Sequence, residues 1–181
     1  KEWSRLFKEA GAEYVIPVAE HHDGFQMYKS EISEWNAYEK GPKRDVLGEL
    51  KEAFSRNDIV TGASTHRVEH WFFMGHGKEF ESDIKDPMER GDFYWPAMAE
   101  ADHMDIFSEP TPTEEYLNDW LVRTCEIIDK YRPSILYFDW WIQHVAARDY
   151  VKKMIAYYYN RAAQWNEEVV LCYKYDVFAF G

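Results

Sequence analysis

The residues able to do chemistry fall in three short polar blocks: Glu20-His21-His22-Asp23, Thr65-His66-Arg67-Val68-Glu69-His70-Trp71 and Asp139-Trp140-Trp141. Asp139 ends the run Ile135-Leu136-Tyr137-Phe138, so its carboxyl is partly desolvated by apolar and aromatic neighbours. An acid there is either a reacting carboxylate or the N-cap of a following helix. The apolar Trp140-Trp141-Ile142 is a poor helix start and favours the first role. His21 and His22 carry ring nitrogens that either ligate a metal ion or hydrogen-bond a ligand. Neighbouring residues at a strand end point to opposite sides, which sets this pair against one shared ion. His66 and His70 have the i, i+4 spacing of helical zinc sites. However, the general-base Glu of a His-Glu-x-x-His pattern is missing, and the segment directly leaves a strand. We therefore expect no metal.

Positioning these groups falls to an alternation of amphipathic and apolar segments. Trp3, Leu6, Phe7 and Ala10 mark one helix face, and Gly11 caps it. The segments Tyr14–Ala19, Ile59–Ser64, Ser134–Asp139 and Val169–Tyr173 read as short buried strands. Between them the spacing predicts helices over 45–56, 111–132 and 148–165. Asp45 is the N-cap of the first, and a Thr111/Glu114 capping box with Pro112 opens the second. Residues 65–110 form a long polar insertion, the kind of segment that is usually functional. Apolar strands alternating with helices imply an α/β fold with a parallel sheet. No strand runs into a Gly-rich phosphate loop, and the polar blocks all follow strand ends, where (β/α)8 barrels keep their active sites. The expected architecture is that TIM barrel. Since a barrel takes about 250 residues, the chain is expected to hold roughly four of its βα units, as part of one catalytic domain over 1–181. Its first residues, Lys1-Glu2-Trp3-Ser4, read as the middle of a domain.

Composition narrows the function classes. A formal net charge of -12 opposes binding to nucleic acid, which needs a basic face. No run of eighteen apolar residues is present, so no membrane span is expected. Cys125 and Cys172 lie in apolar periodic stretches and read as two free thiols. Aromatic residues reach 18%, several of them Trp in polar stretches, and such rings suit the flat C–H faces of sugars.

Specific motifs then add a resemblance. His21-His22-Asp23-Gly24-Phe25, preceded by Lys8-Glu9-Ala10-Gly11-Ala12, is similar to the signature of the family-29 glycoside hydrolases, the α-L-fucosidases. Further landmarks follow in order: Ser30, Trp35-Asn36, Gly41-Pro42-Lys43-Arg44-Asp45, Gly62-Ala63-Ser64, Glu69-His70-Trp71, Tyr131-Arg132-Pro133 and Tyr137-Phe138-Asp139. The chain departs from the pattern at Glu20, where many relatives carry Lys, and at Ser64-Thr65-His66, where many carry Tyr-Tyr-Ser. The resemblance implies an exo-acting retaining α-L-fucosidase that releases L-fucose from fucosylated glycans without a cofactor. It implies Asp139 as the nucleophile and His21 and His22 as partners of the fucose hydroxyls. It implies Trp35, His66, Trp71 and Tyr137 as pocket-lining residues, with Phe25 or Trp141 as an apolar wall for the C6 methyl. The acid/base is implied to be a Glu beyond Gly181, so this stretch alone is expected to lack normal turnover. Glu167 and Glu168 precede the last strand, at the other end of the barrel. A secreted, periplasmic or lysosomal location is likewise implied by the family alone. The residues by themselves leave two alternatives open: a metal-dependent barrel hydrolase using His21, His22, His66 and Asp139, and a non-catalytic sugar-binding relative.

Overall fold

In the computed structural model, which describes residues 2–74, 81, 95 and 111–178, helices alternate with short strands. The order is α1 (Glu2–Glu9), β1 (Tyr14–Val15), β2 (Val18–Glu20), α2 (Val46–Ser55), β3 (Val60–Thr61), β4 (Ala63–Thr65) and α3 (Arg67–Phe73). Then come α4 (Glu114–Tyr131), β5 (Ile135–Phe138), a short 3-10 turn (Val145–Ala147), α5 (Arg148–Trp165) and β6 (Val170–Tyr173).

Two of the expected strands are each broken in two. The first breaks around Pro17, which has no N–H to donate, although its carbonyl accepts from the Ser64 N–H at 2.9 Å. The second breaks at Gly62, where an added Cβ would lie 2.5 Å from the Ile135 carbonyl oxygen. Neighbouring backbone thus passes so close at this point that a side chain has no room. The result is a β1–β3 ladder and a sheet ordered β2-β4-β5-β6, parallel throughout. Neighbours in space are neighbours in sequence, with no reversal. With the right-handed crossovers that parallel strands almost always make, this order would put the helices on one face, as a barrel wall requires, whereas an open doubly wound sheet reverses at a switch point.

The helices form where local chemistry directs. Asp45 caps α2 by accepting the Gly48 N–H at 3.0 Å, and α5 has the expected bounds. Helix α4 starts later than the capping box predicts. The Thr113 hydroxyl accepts the Tyr116 N–H at 3.2 Å, so Thr113 is the cap and Thr111 lies outside the helix. Helix α4 ends at Arg132, which adopts a left-handed backbone (φ 39) before Pro133. The main core buries Trp120 and Ile128 of α4 and Met154 and Tyr158 of α5 against Leu136 and Phe138 of β5. A second cluster joins Ala19, Tyr28, Leu47, Ala63, Ile127 and Tyr131.

Two other expectations change. The apolar stripe of α1 is not covered: Trp3 is 66% exposed, and Leu6 and Phe7 are exposed too. Only Ser4 of that helix is buried, although the Phe7 ring stacks on Phe54. The expected insertion over 65–110 begins with regular structure, since Thr65 closes β4 and residues 67–73 form α3. Nearly all of its remainder lies outside the described residues.

Candidate active site

The C-terminal ends of β2, β4, β5 and β6 meet at one place. Chain reversal after β2 delivers the first pair of imidazoles. Gly24 takes a left-handed backbone (φ 86) and its N–H bonds the His21 carbonyl at 3.1 Å, closing a turn over His21–Gly24. Because these residues lie in a turn and not in extended strand, their rings converge, with centroids 4.3 Å apart. The expected divergence of adjacent histidines is therefore corrected: alternation holds only while the backbone stays extended.

After β4 the chain enters α3 without delay. His66 stands at its N-cap and stacks on His21 at 4.5 Å, 17° from parallel. Glu69, one turn on and fully buried, brings Oε2 to 3.1 Å from His22 Nε2 and 3.4 Å from His66 Nδ1. Phe73 stacks on the His22 ring at 5.3 Å, and His70 Nδ1 lies 2.5 Å from the His22 carbonyl oxygen.

Asp139 follows β5 directly. Its Oδ2 lies 3.7 Å from His66 Nδ1, and its Oδ1 lies 2.6 Å from Lys174 Nζ, just past β6. Hydrogen bonding to Asp139 raises the pKa of Lys174 above its usual value, so the ammonium stays charged beside the carboxylate. Burial, then the negative charge of Asp139, raises the Tyr137 hydroxyl. Burial, then the fields of His22 and His66, lowers His21. The arrangement is thus an electrostatically paired carboxylate gathered with three imidazoles and a phenol.

The structure gathers His21, His22, His66, Tyr137 and Asp139. Trp35 lies on a neighbouring loop tied to the end of β2 through Gln26, with its ring under Lys40 Nζ at 5.2 Å. Trp71, on α3, is buried in the main core, 5.4 Å from the Tyr116 ring. Trp141, a candidate apolar wall, is likewise core, stacked on Phe72 at 4.1 Å. Sequence reasoning overlooked Lys174, Phe73 and the place of Glu69. The position of Lys174 just after a strand was the available signal.

Ring nitrogens and carboxylate oxygens also form two possible cation sets, His21-His22-His66 and His66-Glu69-Asp139, with ligand atoms in each within 4.8 Å of one another. Beneath the site lies a buried ionic knot. Arg123 Nη1 is 2.8 Å from Glu20 Oε1, Arg123 Nε is 2.8 Å from Asp119 Oδ2, and Arg67 Nη2 is 3.3 Å from Asp119 Oδ2. It ties the end of β2 and the start of α3 to α4, and so fixes the two segments that carry the imidazoles.

Comparison with known proteins gives a consistent result. A family model described as alpha-L-fucosidase matches residues 1–178. Tissue alpha-L-fucosidase of Rattus norvegicus is 42% identical over 73 residues, which is 40% of this chain and 16% of that protein. Plasma alpha-L-fucosidase of Homo sapiens is 40% identical over 73 residues, 39% of this chain and 15% of that protein. The Thermotoga maritima alpha-fucosidase in complex with fucose superposes with a TM-score of 0.64 at 27% identity, covering 93% of this chain and 34% of that one. The chain therefore spans about a third of that solved relative and a smaller share of the curated ones. The solved neighbours have a TIM-barrel catalytic domain, and this chain shares part of that fold. With the family model matched over nearly its whole length and these likenesses in sequence and fold, the chain belongs to the α-L-fucosidase family.

Proposed function

We propose that residues 1–181 form part of one catalytic barrel of an exo-acting, retaining α-L-fucosidase acting on fucosylated glycans, with Asp139 as the nucleophile. The observation carrying this reading is the carboxylate of Asp139 at the end of β5, charge-paired to Lys174 at 2.6 Å and facing the imidazoles. In this reading an Asp139 oxygen attacks the anomeric carbon as the glycosidic C–O bond breaks, giving a fucosyl ester. A second carboxylic acid protonates the departing oxygen and then takes a proton from the water that hydrolyses the ester. No described residue is assigned that second role. His21, His22 and His66 hydrogen-bond the sugar hydroxyls, and Tyr137 lines the pocket. Trp35 borders it. The fold's family supports fucose as the sugar, and the paired charge on Asp139 supports covalent catalysis.

The test is turnover of an aryl α-L-fucoside by the full-length protein and its Asp139→Asn variant. Activity lost with sugar binding kept supports the nucleophile, and azide rescue of a smaller Asp139→Gly variant as a fucosyl azide would identify the step. Unchanged activity in Asp139→Asn overturns it. Activity absent from the unaltered protein, with fucose still bound, would favour a sugar-binding relative.

A second reading, a metal-assisted hydrolase, is favoured by the convergence of ligand atoms at His66, Glu69 and Asp139. Stoichiometric zinc in the purified protein, with activity lost to a chelator and restored by the ion, would support it over the first.

A further inference from the structure

Glu69 is a buried acid to which the proposed reaction gives no role. Its carboxylate has no exposure, and neither oxygen is met by a well-aligned donor among the described residues. A buried carboxylate without partners is costly, so the groups beside it must be arranged to satisfy it. Those groups are the imidazoles, His22 Nε2 at 3.1 Å and His66 Nδ1 at 3.4 Å. Oxygens of Glu69 and Asp139 come within 4.8 Å, near the spacing of a retaining pair. Glu69 is fully buried, however, and the acid/base role is not assigned to it.

We infer that Glu69 is a positioning residue that sets the ring orientation and tautomer of both histidines. Its Oε2 draws the proton of His22 to Nε2, 3.1 Å away, and that of His66 to Nδ1, 3.4 Å away. A neutral imidazole has one donor and one acceptor nitrogen, so His22 Nδ1 and His66 Nε2 are left as acceptors. Sugar hydroxyls then meet the rings as donors, which fixes the sense of every hydrogen bond on that side of the pocket. His66 is the sharper case. Its Nδ1 stands between two carboxylates, 3.4 Å from Glu69 and 3.7 Å from Asp139. Glu69 therefore decides whether that N–H is held back or offered to Asp139. The same device, a carboxylate behind an imidazole, orients histidines in metal sites and triads. Its seat on α3 is held by the adjoining Arg67, which the ionic knot anchors to Asp119 at 3.3 Å.

This inference rests on the sugar-pocket reading above for its effect on binding, but its structural part does not. The experiment uses full-length protein labelled with 15N at histidine, unaltered and as Glu69→Gln and Glu69→Asp, each first checked for a cooperative thermal transition. In the unaltered protein the imidazole 15N shifts should show His22 protonated at Nε2 and His66 at Nδ1. Glu69→Gln, whose amide can donate to a ring nitrogen, should shift either ring toward the other tautomer. KM for an aryl fucoside should rise about tenfold, with kcat less changed, as expected for loss of aligned hydrogen bonds. Glu69→Asp should keep the tautomers and part of the affinity. Unchanged tautomers in Glu69→Gln overturn the inference, as does KM within twofold of the unaltered enzyme. Swapped tautomers in a protein that neither binds nor cleaves fucosides would leave the role of Glu69 standing and remove the sugar-pocket reading instead.

Discussion

At the residue scale, His21 reports the cost of crowding imidazoles together. Burial, followed by the fields of His22 and His66, lowers its pKa below the ordinary 6.5, while Glu69 and Asp23 oppose the shift. As pH falls below that ordinary value the unfolded chain takes up a proton that the folded chain refuses. The stability His21 contributes is therefore whole above about pH 6.5 and is lost as pH falls through the lowered value. Urea midpoints between pH 7.5 and 5 should fall more steeply for the unaltered protein than for His21→Gln. Identical slopes would contradict the assignment. Much at this scale was legible in the sequence, because polar residues following apolar strands have few structural duties. What escaped was geometry set by turns. Nothing in two consecutive histidines says that the chain bends at Gly24 and brings them face to face. Trp71 and Trp141 were hard for the opposite reason: an aromatic ring in a polar stretch suits a sugar and a core equally. Trp141 is held in the core with a left-handed backbone (φ 61) two residues past Asp139, a conformation costing about 1–3 kcal/mol in a bulky residue. Its stacking on Phe72 offsets that strain and keeps the segment after Asp139 in one path.

At the element scale, Gly62 lets the sheet bend. A methyl group there meets the Ile135 carbonyl oxygen at 2.5 Å, and because that atom is backbone it cannot swing aside. Gly62→Ala is expected to destabilise the fold by about 1–3 kcal/mol, the usual cost of overpacking. Chemical denaturation measures it, and a loss below 0.5 kcal/mol, within the noise of surface substitutions, would show that β3 and β5 can move apart. The two breaks at Pro17 and Gly62 fall beside each other across the sheet, as the Ser64 N–H bond to the Pro17 carbonyl shows. The sequence pattern yielded the strands but not these breaks, since hydrophobic runs carry no record of where a ladder shifts register. Helix positions fared better. Asp45, Arg132 and Asn166 mark ends through their own backbone and side-chain chemistry. Thr113 displaced Thr111 as cap because two threonines stood close together and only one reached the Tyr116 N–H.

At the scale of the whole molecule, the ionic knot of Glu20, Arg67, Asp119 and Arg123 joins three segments far apart in the chain. All four side chains are buried and their formal charges cancel. Removing one member strands its partners. Arg123→Leu should cost about 3–5 kcal/mol, the measured range for breaking a buried pair from one side. That loss should change little with added salt, since buried charges are weakly screened. A loss under 1 kcal/mol would mean that water reaches the carboxylates. The net charge of -12 gave no hint of this balanced interior, because formal charge sums over a surface that hides it.

The same balance limits how this protein can vary. Exchanging Glu20 for a lysine alone would leave three cations facing one anion with no solvent to separate them. Such a change is tolerable only together with a second one, at Arg67 or Arg123, that restores neutrality. The position just before the paired histidines is therefore coupled by charge to two arginines on separate helices, and a lone charge reversal here should cost the fold its stability.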